Sequence, residues 1–140
     1  MPDSISYQSN PYLAFPLGFG DMKSQSAVAR VFVEAENAWR FVRLEAIAYS
    51  NSIKKEMERG GLLDRIFPGI TESLGRQPDP KASWLYRVTS FLVKDPDPQN
   101  RILIPAHADP VHADWFDDFH AALEGCFARY GIRSSDFEKA

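Results

Sequence analysis

Cysteine is nearly absent from this chain. Cys126 is the only one in 140 residues, so no internal disulfide can staple the fold and stability must come from a buried core. No apolar run approaches the roughly 20 residues that a helix needs to cross a bilayer, and no membrane span is expected. An excess of bases is missing too. Sixteen Lys and Arg against 19 Asp and Glu leave a formal net charge of -3, which argues against general nucleic-acid binding, since that rests on cationic contacts to phosphates. The opening residues MPDSISYQSN have neither the basic nor the apolar stretch of a leader, and a cytoplasmic protein is expected. Phosphate-loop, nucleophile-elbow, HExxH and CxxC patterns are all lacking, and Gly18-Phe19-Gly20 has no third glycine of a dinucleotide fingerprint. No cofactor is expected, and the balance lies against an enzyme.

What is present is the make-up of one ordinary globular domain, 44% hydrophobic and 25% charged, large enough to bury a core of its own. Residues 1–22 mix Pro2, Pro11, Pro16, Gly18 and Gly20 with Tyr7, Tyr12, Phe15 and Phe19, an irregular apolar arm. From 24 to 59, Val28, Phe32, Ala35, Trp39, Val42, Ala46, Tyr49, Ile53 and Met57 recur at three- and four-residue steps, which predicts one long helix ended by Gly60-Gly61. Short helical turns are expected over 62–75. Residues 83–94 alternate branched and aromatic types on both faces, and with Arg101–Pro105 they predict a β-hairpin over 83–105. Two strands are marginal alone, so further strands must come from residues 5–7, from 132–137 or from another subunit. Asp109-Pro110 reads as a helix start and Gly131 as its stop, giving a C-terminal helix over 110–130. The expected class is α+β: a long N-terminal helix and a C-terminal helix packed on a small antiparallel sheet.

Some 36 helical residues would span about 54 Å, against a diameter near 37 Å for a compact chain of this size, so the helix must bend near Ser50-Asn51-Ser52 or project. Its middle is also apolar nearly all round, with Val33, Phe41, Leu44 and Ala48 opposite the main stripe. Such a helix must be sandwiched. That row predicts self-association as a homodimer, the commonest way to bury one extra patch, unless the N-terminal arm covers it.

All three histidines lie between His107 and His120, the stretch that most resembles a site. His107, Asp109 and His112 are the residues able to converge on a metal there, which defines one alternative, a metal-dependent hydrolase. Arg101 and His107 share the Arg-x5-His spacing of HEPN-type ribonucleases, but that motif sits on a helix, whereas the intervening residues here read as a strand, so the spacing implies no activity. Cys126 falls on the apolar stripe of its helix and reads as core rather than nucleophile. Asp114, Asp117, Asp118 and Glu124 form an acidic set that could meet a basic protein partner, as inhibitor or immunity-type proteins do; a solvated helix face has the same pattern. The leading expectation is therefore a non-catalytic protein-binding dimer. A further alternative is a small-molecule pocket lined by Trp84, Tyr86, Phe91 and Trp115. Arg87, on an otherwise apolar strand face, is expected to be either a buried pairing partner or a pocket anion binder.

Overall fold

The computed structural model describes residues 24–58, 65, 67–94, 104–105 and 108–139. Its centre is an antiparallel sheet of β1 (Ser24–Val33), β2 (Ala38–Ala48), β3 (Trp84–Val93), β4 (Pro110–Phe116) and the two-residue β5 (Glu138–Lys139), in the order β4-β3-β2-β1-β5. Helices α1 (Asn51–Glu58) and α2 (Ile70–Leu74) lie between β2 and β3, and α3 (Phe119–Tyr130) follows β4. The α+β class stands.

The long helix does not. Residues 24–48 form a hairpin in register from Ser24↔Ile47 to Val33↔Ala38. Its turn is a short 3-10 segment, Glu34–Glu36, closed by Asn37 in the left-handed region (φ 49°, ψ 48°), a conformation that asparagine tolerates better than most residues. β2 also pairs with β3 along its length, from Trp39↔Val93 to Ala48↔Trp84. A strand with neighbours on both edges and cover on both faces is apolar on both sides. Such a run matches a 3.6-residue period as readily as a 2-residue one, and so it passes for a helix sandwiched on several sides. Folding back as a hairpin also removes the length problem. What remains helical is Asn51–Glu58, starting where a bend was expected.

The row Val33, Phe41, Leu44 and Ala48 is likewise dissolved. Phe41 and Leu44, three residues apart on a strand, point to opposite faces, and both are completely buried within the chain. Val33 sits at the end of the hairpin and Ala48 at the far end of β2, both half-buried. The physical reason for expecting a second subunit goes with that row.

The second correction concerns the strand beside β3. Its partner is Pro110–Phe116, not Arg101–Pro105; Ile104 and Pro105 are irregular, and 101–103 lie outside the described residues. Asp109-Pro110 resembles a helix cap, but proline is equally suited to the first residue of an edge strand, where no ladder N–H is needed. The helix begins nine residues further on. Its cap is Asp118, whose carboxylate accepts the Ala121 N–H at 3.0 Å, and it ends at Gly131 in the left-handed conformation (φ 69°), as the sequence indicates. Further strands come from 24–48 and, at the C-terminus, from Glu138–Lys139, which pairs with Ala27 and Val28.

The sheet has two unlike faces. On one, Ala27, Ala29, Val42, Leu44, Ala46, Tyr86 and Val88 pack under α3 through Ala122, Leu123 and Cys126, with Ile132 and Phe137 closing the layer. The other face carries two separate apolar clusters. Tyr49, Phe67, Ile70, Leu85 and Trp115 form one with the α1–α2 region; Val28, Phe41, Phe91 and Val93 form the second, joined by Ile104 and Ala108. Between them the strands place Arg43, Glu45, Arg87 and Thr89. α2 is pinned to the edge strand by Ser73, whose Oγ accepts the Trp115 backbone N–H at 2.7 Å, while the Trp115 indole donates to the Pro68 carbonyl at 3.1 Å.

Candidate functional site

The pleat explains why charged groups gather on an apolar face. Arg43 and Glu45, two residues apart on β2, share that face; Glu45 lies directly across from Arg87, and Arg43 across from Thr89. Arg87 Nε donates to Glu45 Oε1 at 2.9 Å. Arg43 Nε stands 3.4 Å from the same oxygen and, although buried, makes no hydrogen bond. Each guanidinium also lies over an aromatic ring. Arg43 Cζ is 5.2 Å from the Phe91 ring centroid and Arg87 Cζ is 5.3 Å from that of Trp115, within the range where a cation is attracted to a ring face.

The two arginines and their rings line a concavity of about 310 Å³, with Glu45 beside it. Arg43 comes from β2, Arg87, Thr89 and Phe91 from β3, and Trp115 with Pro110 and Ala113 from the edge strand β4, while Pro68 completes the wall. Two arginines against one glutamate leave a local excess of one positive charge. Of the four aromatics expected to line a pocket, Phe91 and Trp115 do so; Trp84 and Tyr86 belong to the opposite face under α3. Arg87, expected as a buried pairing partner or a pocket anion binder, pairs with Glu45 and lines the pocket, with its side chain about a third exposed. Arg43 and Glu45, which the sequence does not single out, complete the group. Their signal was two charges at i and i+2 in an otherwise apolar run, a spacing that shares a face only on a strand.

A larger concavity, about 770 Å³, lies between residues 76–82 and Asp117-Asp118. Its acids and Arg76 are already used. Arg76 grips Asp117 with two hydrogen bonds of 2.6 and 3.0 Å, and the Asp79 and Lys81 amides are taken up by Asp117 and Asp79. The Arg76 hydrogen bond, aided by the Asp79 amide, holds the Asp117 carboxyl below the usual range against its burial. The smaller concavity has a buried donor without an acceptor, the Arg43 Nε, and it is the better candidate.

The four acids expected on one helix face are dispersed. Asp114 is on β4, paired with Arg129 at 3.1 Å and hydrogen-bonded to His112 Nε2 at 2.9 Å; on a strand these i, i+2 side chains share a face, where a helix would have set them apart. Asp117 and Asp118 lie in the turn before α3, one held by Arg76 and the other capping the helix. Glu124, on α3, pairs with His120 at 2.7 Å. His107 lies outside the described residues, Asp109 is exposed, and among the described residues no group of three His, Cys, Asp or Glu side chains is placed to hold a metal ion. No described helix is long and apolar enough to cross a membrane. Cys126 is wholly buried, and burial, with Asp114 nearby, pushes its thiol up to about 12, far from a thiolate nucleophile.

No family model, no curated protein and no solved structure matches this chain. The pocket therefore has to be read on its own chemistry.

Proposed function

We propose that this chain is a non-catalytic binding domain that takes a small organic anion, carried by a carboxylate or phosphate group, in the Arg43–Arg87 pocket. One observation carries the reading: two guanidiniums backed by aromatic rings share a single carboxylate beside a concavity whose remaining wall is apolar apart from Thr89. Arginine suits this role because its planar fork matches carboxylate and phosphate oxygens while its faces stack on rings. A cavity of this size is at the small end for ligand sites, roughly 300–1,000 Å³, and the pattern of apolar walls with a few polar groups is the usual one. Among the described residues that line the pocket there is no carboxylate, imidazole or thiol, and the nearby Glu45 is engaged by Arg87. An inhibitor or immunity role through Asp114, Asp117, Asp118 and Glu124 would have to displace Arg129, Arg76, the Ala121 amide and His120, which already hold them.

The test is a calorimetric titration of the full chain with sodium phosphate, phenyl phosphate, benzoate and citrate, with choline as a cationic control. Saturable binding of at least one anion is expected, accompanied by a tryptophan fluorescence change that Trp115→Phe abolishes. Arg87→Met, which keeps the aliphatic stem over Trp115, should weaken that binding at least tenfold. Equal binding by this variant and the natural chain overturns the proposal, as does the lack of a saturable response to any of the anions from both the natural chain and Glu45→Gln, in which the carboxylate beside the arginines is neutralised.

A further inference from the structure

One carboxylate cannot serve two guanidiniums fully. Glu45 Oε1 lies 2.9 Å from Arg87 Nε and 3.4 Å from Arg43 Nε, a hydrogen bond to the first and only an ion pair to the second, whose N–H is buried without an acceptor. Among the described residues neither guanidinium has any other hydrogen-bonding side chain. The side chain of Glu45 is well covered, at 18% exposure, whereas those of Arg43 and Arg87 are about a third exposed. The oxygen between the two Nε atoms thus occupies the place that an oxygen of an incoming anion would take.

From this we infer that Glu45 is an internal competitor, a built-in anion that occupies the arginine pair in the empty pocket and is displaced when the ligand's carboxylate or phosphate enters. The inference rests on the anion-binding reading of the same pocket. Its physical basis is that the Cα of Glu45 is fixed by ladder pairing on both edges of β2, while its side chain has rotamers that can leave the arginines. Binding then exchanges one anion for another. The ligand must carry at least two acceptor oxygens to improve on Glu45, because its advantage is the Arg43 N–H that Glu45 leaves unsatisfied. A monodentate acceptor such as an alcohol or a ketone has no such advantage, and this selects charged, oxygen-rich groups.

The experiment compares Glu45→Gln with the natural chain and Arg87→Met in phosphate and phenyl phosphate titrations. Removing the competing charge while keeping the side-chain size is expected to tighten anion binding about tenfold. Binding seen only in Glu45→Gln supports the inference as well, since it means that the competitor wins in the natural chain. If instead Glu45 merely positions the arginines, Glu45→Gln binds as weakly as Arg87→Met or no better than the natural chain. Such a result removes the inference and leaves the pocket reading intact, provided the natural chain binds. Silence from both the natural chain and Glu45→Gln overturns the pocket reading and the inference with it. Glu45→Ser repeats the comparison should glutamine distort the sheet face.

Discussion

Arg76 and Asp117 meet in a two-pronged ion pair, Nη1 to Oδ2 at 2.6 Å and Nη2 to Oδ1 at 3.0 Å, and the same carboxylate accepts the Asp79 amide at 2.7 Å. One nearly covered acid, 6% exposed, ties the loop ahead of β3 to the turn that launches α3. Hydrogen bonding from Arg76 keeps its pKa below the ordinary value, so the ionised form is favoured in the folded state. Stability from this group is complete above the unfolded pKa and is lost as pH falls through the folded one. Asp117→Asn should lower Tm at neutral pH by on the order of 3 °C. The gap to the natural chain should close below about pH 4, as followed by circular dichroism melts across pH.

Gly125 marks a close approach between α3 and the sheet. A Cβ there would come within 2.5 Å of Phe116 Cζ, and Phe116 is packed against the core cluster beneath the helix. Alanine favours a helix over glycine by about 1 kcal/mol, whereas overpacking costs about 1–3 kcal/mol, so Gly125→Ala should destabilise on balance. Paired with Phe116→Leu, the same alanine should become neutral or stabilising relative to Phe116→Leu alone. Urea denaturation of the four chains reads the sign change as a coupling energy.

Phe41 is completely buried at the centre of β2, among Val28, Phe91 and Val93. Truncation to alanine should cost about 3–5 kcal/mol, the range for a large core aromatic. Since this burial is internal to one chain, the loss should be the same at low and at tenfold higher protein concentration. A loss that changes with concentration would instead mean that the packing of Phe41 is coupled to self-association of the folded chain.

Much of the layout is legible in the residues, and the places where it is not have a common cause. Residues 84–93 read as a strand because branched and aromatic types occupy both faces, and Gly131 reads as a helix stop because it takes the left-handed exit. Arg87 stands out as a lone charge on an apolar face. By contrast, Arg43 and Glu45 could not be assigned to the site while they were placed on a helix, where residues two apart do not share a face. Asp109-Pro110 misled because a capping acid followed by proline fits either a helix N-terminus or the start of an edge strand.

The α+β class, the single-cysteine core and the span of β3 follow from the sequence by itself, because composition, side-chain type and turn residues act locally. Tertiary structure decided that residues 24–48 are two strands and that Arg43, Glu45 and Arg87 meet. A segment apolar on both sides satisfies helical and strand periods alike. Only the presence of partners on both edges and cover on both faces selects between them, and the partner that lies outside the hairpin comes from residues 84–93, some 40 positions away.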